Sequence, residues 1–400
     1  MTRALLVGSV SALLACGTST VDRATVRQTM VGDTVVLAIE APPGVSPSVT
    51  IDSVTPVWTP EAFRAIRGLA IGKRILAATD GRGVLGFDRE GGTAFPVGVS
   101  GEGPGEYRRV AAVVIGSRDQ ITVADPMQAR VLQFDSAGRG LPAAARALGV
   151  QSSWSVRAVA PGLAESMTEL VAWDHGLISV DGLEDSLRVA AVVAADSAET
   201  LFMVPEGLWA TIDGVPAKRD AYGVRAIVAL DPRDGAAVST GVDYVIRWWR
   251  PGATPEMLRI ERGWPRAVAG GELEPPPALL EGLGPTGEML TKVANGQERG
   301  DLKNAVEQLV LVGQGRLLVK VVDSTARYHP YYLGRLPELR PSHWTWEVLD
   351  HEGSLRGQLR LPSAFTPSRV VGCELWGVLE QPDGTQAVAR VGLAGACGWF

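Results

Sequence analysis

The chain has 400 residues, 46% of them hydrophobic and 6% aromatic, with 47 Gly and 26 Pro, the make-up of a turn-rich globular protein. Its 38 Lys and Arg against 44 Asp and Glu leave a formal charge of −6, and without a basic stripe this argues against nucleic-acid binding. A chain of this length divides into several domains unless its architecture adds core in repeated layers.

In chain order, Arg3 precedes an apolar run from Ala4 to Leu14. Such a run is too short for a spanning helix, which needs about 20 residues, but it suits the core of an export signal. Its ending, Leu13-Leu14-Ala15-Cys16, resembles the bacterial lipobox, which implies a lipoprotein signal over 1–16 and lipidation of Cys16. An ordinary secretory signal with an incidental Cys is the alternative, and both place the mature chain outside the cytoplasm. With Gly17 rather than Asp after the cysteine, resemblance to sorted lipoproteins implies the outer membrane. The polar stretch 17–32 reads as a flexible tether and 33–400 as a single domain.

From Gly32 onward, short Val, Ile, Leu and Trp runs are punctuated by Gly, Pro and Asp. Val35 to Ile39 is a first strand, expected to close the repeat array on its last unit. Ile75 to Thr79 with Gly83 to Phe87, and Ile121 to Asp125 with Arg130 to Phe134, follow one hairpin grammar. An apolar residue, Asp and a Gly-bearing turn end these units at Phe87-Asp88 and Phe134-Asp135, and the same signature recurs at Leu230-Asp231 and Leu349-Asp350. Asp88 and Asp135 are 47 residues apart, Asp231 lies 96 further on, and Val180-Asp181-Gly182 falls midway as a degenerate copy. A period in the forties with β punctuation marks a propeller of four-stranded antiparallel blades. Leu177 to Val180 with Arg188 to Val193 reads as the third blade, and Gly223 to Leu230 with Tyr244 to Arg250 as the fourth. Ala269 to Gly300, rich in Gly and Pro, reads as an insertion on a fifth blade, with a short helix over Pro277 to Leu283 or Gly287 to Val293. Leu317 to Val322 and Trp344 to Leu349 then begin the sixth.

Between the first two blades lies Gly101-Glu102-Gly103-Pro104-Gly105-Glu106-Tyr107. That segment, with Val-Ala-Asp-Pro at 123–126, Arg-Val-Leu-Gln-Phe-Asp at 130–135, Trp248-Trp249-Arg250-Pro251-Gly252 and Trp346 to Gly353, resembles exported bacterial six-bladed β-propellers related to NHL-repeat proteins. The resemblance implies an all-β, six-bladed ring and says little about chemistry. The Gly-rich segment lacks the Gly-Lys-Ser/Thr of a phosphate loop. It reads as an inter-blade crossover in which Gly101, Gly103 and Gly105 permit positive φ, Pro104 stiffens the turn and Glu106 caps backbone donors beside Tyr107.

Chemistry has little local support. His175, His329, His343 and His351 form no metal-ligand spacing, and no Gly-x-Ser-x-Gly occurs. Only Asn295 and Asn304 could supply the Asn ligands that lactonase-like relatives use, so neither a metal nor another cofactor is expected. Asp80, Asp88, Asp125, Asp135, Asp231 and Asp350 read as turn-forming residues. Cys373 and Cys397 could pair in an exported domain or remain buried thiols. The reading is a lipid-tethered module for an envelope protein, peptide or glycan, with Arg247, Trp248, Trp249 and Arg250 as a binding face. The alternative is an exported hydrolase or lyase with acidic residues in a central channel.

Overall fold

The computed structural model describes residues 25–400 apart from 41–46, 117, 129, 142–145, 148–155, 161–168, 174–183, 195–196, 232, 254–255, 264–271 and 323–326. Six antiparallel blades form a closed ring, and the all-β propeller is therefore explicit in the sheet order. Blade 1 comprises Gly68–Ile71, Ile75–Thr79, Val84–Asp88 and Thr93–Pro96. Blade 2 comprises Ala112–Ile115, Ile121–Asp125, Arg130–Phe134 and Arg146–Ala147. Blade 3 runs from Val156 to Ile212 with a fifth strand, Val215–Lys218. Blade 4 comprises Ile227–Asp231, Gly235–Ser239, Val245–Trp249 and Met257–Arg262. Blade 5 comprises Val306–Gly313, Arg316–Val321, His343–Asp350 and Leu355–Pro362. Blade 6 comprises Phe365–Val371, Glu374–Glu380 and Gln386–Gly392, completed by Thr55–Trp58. The first strands of the six blades touch in cyclic order, blade 6 against blade 1 included.

Apolar layers lie between blades, which is why second strands such as Ile75–Thr79 and Ile121–Asp125 are buried along their whole length rather than at alternate residues. Leu37, Trp248, Leu317 and Leu349 fill the layer between blades 4 and 5, and Trp346, Phe365 and Leu375 that between 5 and 6. Trp376, Trp58 and Leu76 fill the seam between 6 and 1.

The ring closes differently from the sequence expectation. Val35 to Ile39 lies within Thr34–Glu40, which pairs in parallel with Met257–Arg262 on the outside of blade 4. Ser48–Thr50 then pairs in parallel with blade 5, and Thr55–Trp58 antiparallel with blade 6. The N-terminal segment is thus a belt across three blades, and Thr55–Trp58 closes the ring. An alternating pattern fixes a strand and its buried face, not its partner. Thr25–Val31, read as part of the tether, is a strand paired with Thr34–Glu40. Residues 1–24, with Cys16, and the Val180-Asp181-Gly182 copy lie outside the described residues.

The Asp signature has one physical role in two places. Asp88 accepts the amides of Glu90 and Gly91, Asp135 those of Ala137 and Arg139, Asp231 those of Arg233 and Asp234, and Asp350 those of Glu352 and Ser354. Asp88, Asp135 and Asp350 occupy turns between third and fourth strands, whereas Asp231 sits between the first and second strands of blade 4. Its copy is half a blade out of register. That offset also corrects the late blades: 306–362 is blade 5, and the helical insertion lies between blades 4 and 5. Both expected helical stretches form, as α1 (Pro277–Gly282) and α2 (Pro285–Gly296). A second insertion, inside blade 5, carries α3 (Pro330–Leu333).

Cys373 and Cys397 are joined by a disulfide with Cα atoms 5.1 Å apart, tying the chain end to blade 6 across 24 residues. Cys373→Ser with Cys397→Ser is expected to cost about 2–4 kcal/mol, read as a lower denaturation midpoint that reductant reproduces in the parent protein.

Candidate functional site

Turns between first and second strands gather at one end of the ring, the turn end; blade-to-blade connections lie at the other, the crossover end. The central channel is lined by first strands, mostly by apolar residues such as Leu69, Val114 and Leu230, around a cavity of about 140 Å³. Asp231, Ser368 and Arg369 are its polar members. At the turn end the channel widens into a depression of about 600 Å³, rimmed by Gly72, Gly116 and Gly313 to Gly315, with Lys73, Arg233, Asp234 and Arg369 as its charged groups.

Asp231 and Asp234 are set by the turn they share, and Arg369 projects from the strand Phe365–Val371. Asp231 accepts two amides of its own turn through Oδ1 and receives Arg369 Nη1 on Oδ2 at 3.3 Å. Gly313 has φ +90°, and a Cβ there would lie 3.4 Å from Arg369 Nη2, so glycine leaves space for the guanidinium. Asp234 is anchored by Gly315 N–H, which donates to Oδ1 at 3.0 Å, and by Trp248 Nε1–H, which donates to its backbone carbonyl at 2.8 Å. Its other carboxylate oxygen, Oδ2, is buried and has no hydrogen-bond partner. Burial first, and the nearby Asp231 charge second, push the Asp234 carboxyl up from 3.8 to about 6.

A carboxyl whose folded pKa is raised contributes stability below its unfolded value and loses that contribution as pH rises through the folded one. The protein is therefore expected to lose stability between pH 3.8 and about 6 through this group. In Asp234→Asn that component should vanish from a denaturation-midpoint profile over the same range.

The expected binding face is not a face. Arg247 to Trp249 belong to the third strand of blade 4, and strand alternation turns Trp248 into the core, fully buried. Arg247 stacks on Phe202 at 5.5 Å, Trp249 packs against the layer shared with blade 3, and Arg250 donates to the His351 carbonyl. Arg369 and Asp234 were not singled out in the sequence: the first lies in no motif, and the second is part of the Asp231 turn without any mark of facing a channel.

The Gly-rich loop lies between blades 1 and 2. Gly103 N–H donates to Glu106 Oε2 at 2.8 Å, and Gly105 has φ +77°. At Gly101 a Cβ would come within 2.0 Å of Glu106 Oε2 and push that carboxylate from its place, and Pro104 sits in the turn that brings them together. Tyr107 is buried; its hydroxyl donates to the Val97 carbonyl at 2.9 Å and accepts Val84 N–H at 3.0 Å. Glu106→Ala is expected to cost about 1–2 kcal/mol of stability by leaving the loop amide unpaired, and an unchanged melting temperature would count against this role.

Among the histidines, His329 is buried between Tyr222 and Tyr332, and its Nδ1 accepts Tyr331 N–H. Burial pulls its pKa down to about 4, so the ring is neutral. His343 meets Asp52 at 3.1 Å, His351 is exposed in a turn, and His175 lies outside the described residues. Among the described residues no three His, Cys, Asp or Glu side chains converge as metal ligands.

Residues 70–141 match the family DUF5128, described as a 6-bladed beta-propeller. Among solved structures, a protein from Bacteroides fragilis described as exported superposes with a TM-score of 0.46 at 12% identity, covering 86% of this chain and 98% of that one. A DUF4221 member from Bacteroides vulgatus gives 0.46 at 9%, covering 86% and 96%. The calcium-binding protein regucalcin from Agrobacterium tumefaciens gives 0.42 at 8%, covering 87% and 95%. No curated protein matches.

Proposed function

We propose that this six-bladed propeller is a lipid-tethered, extracytoplasmic binding module that takes a peptide or glycan group into the turn-end mouth of its channel. The observation that carries the reading is the unpartnered Asp234 Oδ2 held on rigid turns beside Arg369 in a depression of about 600 Å³. A ligand N–H or O–H that displaces the atoms covering it would satisfy that oxygen, while Arg369 and Lys73 offer donors to its carbonyl or hydroxyl oxygens. Export is supported by the signal-like start ending at Cys16 and by the Cys373–Cys397 disulfide, a bond that persists in oxidising compartments. Lipidation at Cys16, and the outer membrane as its address, rest on the lipobox resemblance.

Mild crosslinking in the native envelope, followed by mass spectrometry of co-purifying material, tests the binding role. A stoichiometric partner lost in Asp234→Asn and in Arg369→Gln supports it; a partner retained by both variants places the site elsewhere. A second reading, acid–base catalysis by Asp234, is favoured by its raised pKa within a cleft. It predicts turnover of envelope glycans or peptides that falls as pH rises through about 6 and disappears in Asp234→Asn.

A further inference from the structure

At the crossover end, a separate cleft of about 280 Å³ opens where blades 4, 5 and 6 meet. Arg225 enters it from just before the first strand of blade 4, Glu307 and Lys320 from blade 5, and Thr366 from blade 6. The α3 insertion covers one side and contributes Arg340.

Its charges do not balance. Lys320 Nζ lies 2.9 Å from Glu307 and 3.8 Å above the Trp344 ring, so it is held by both a carboxylate and an aromatic face. Arg340 is paired with Glu380 at 2.6 Å. Arg225 is half-buried, and no hydrogen bond or ion pair of its guanidinium is found among the described residues. Burial raises the Glu307 carboxyl, but the charges of Lys320 and Arg225 outweigh it and hold the group below the ordinary carboxylate range. Three cations therefore face two carboxylates already engaged by Lys320 and Arg340. One positive charge, partly withdrawn from water, is in excess of the carboxylates that the cations share, an arrangement that a bound anion would relieve.

We propose that this cleft binds a carboxylate group, with Arg225 as its anchor. The planar guanidinium fork matches a carboxylate in bidentate geometry, and Ser363 and Thr366, which line the same cleft, carry hydroxyls as further donors. A single uncompensated charge selects a monoanion. A phosphate dianion would carry its second charge toward Glu307 and into the vicinity of Glu380. The volume admits an end group rather than a chain, as in a peptide C-terminus or the acid function of a uronic acid. The site is distinct from the turn-end mouth and does not depend on the function proposed for it.

Isothermal titration of the full chain with N-acetylalanine and with glucuronate, against N-acetylalanine amide and glucose as uncharged counterparts, tests the assignment. At least one acid is expected to bind at millimolar concentration or below, weakening as salt rises, while neither uncharged counterpart binds. The acid that binds tells a peptide terminus from an acidic sugar. Arg225→Gln should lose binding about tenfold or more, with Arg225→Lys intermediate. Thr366→Glu, at an exposed position, should abolish binding by adding an anion while leaving Arg225 in place. Asp234→Asn should leave it unchanged. Absence of binding by both acids, equal binding of the uncharged compounds, or full binding by a folded Arg225→Gln protein would overturn the proposal.

Discussion

Glu347→Gln is expected to destabilise the ring by about 3–5 kcal/mol, more than any surface change discussed above. Glu347 lies in the third strand of blade 5, Arg262 at the end of blade 4, and both side chains are completely buried. Arg262 Nη1 donates to Glu347 Oε1, and Gln358 Nε2 donates to the same oxygen at 2.9 Å. Tyr244 stands beside them, its phenol pushed well up by burial and then by the Glu347 charge. The pair therefore joins two blades inside a layer otherwise built of aliphatic residues with Tyr244 and Trp248.

Neutralising Glu347 removes the carboxylate charge held against the buried guanidinium, and that loss is what the variant's stability registers. Replacing both partners, as in Arg262→Met with Glu347→Leu, removes the desolvation penalty along with the attraction. The double variant is expected to lie within a few kcal/mol of the parent, on either side. Urea denaturation of the parent, both single variants and the double variant gives the coupling directly. Additive losses in the double variant would mean that the two groups do not act as a buried pair.

Blades 1 and 2 were legible because each local choice agreed with the fold. Ile75–Thr79 and Ile121–Asp125 are short apolar strands, and the turns at Asp88 and Asp135 accept their own backbone amides. Asp231 makes the same hydrogen bonds and has the same flanking pattern, yet it belongs to a different turn of its blade. An Asx turn reports local chemistry, not position within a repeat. Counting from it placed blade 5 wrongly and hid a signature Asp that faces the channel. The candidate site was less legible still. Asp231 and Arg369 meet across 138 residues of sequence, and nothing in Ser368-Arg369-Val370 distinguishes a channel arginine from a surface one. Trp248 and Trp249 were legible as strand residues, but which of the two faced inward depended on a register that only the assembled blade provides.

A chain beginning at residue 59 is expected to lose cooperative folding, because the belt supplies both ring closure and a large apolar surface. Val35, Leu37 and Ile39 are buried against blade 4, Ile51 beside blade 5, and Trp58 at the seam between blades 6 and 1. Four buried aliphatic side chains and one indole correspond to roughly 8–15 kcal/mol of burial, an upper bound that still matches the whole stability of an ordinary domain. Deletion also bares the outer edges of three successive blades, which invites aggregation. Trp58 has a special place in this account: its ring stacks on Phe87 of blade 1, with centroids 5.2 Å apart, while its backbone pairs with Val388 of blade 6. Trp58→Ala should therefore cost about 3–5 kcal/mol and loosen that seam first, visible as faster amide exchange in Gln386–Gly392 than in blade 4. A peptide of residues 47–58 added to the truncated chain should restore a cooperative transition in a concentration-dependent way, since it binds only the closed ring. A truncated chain that melts like the parent would show instead that the six inner strands hold the ring without the belt.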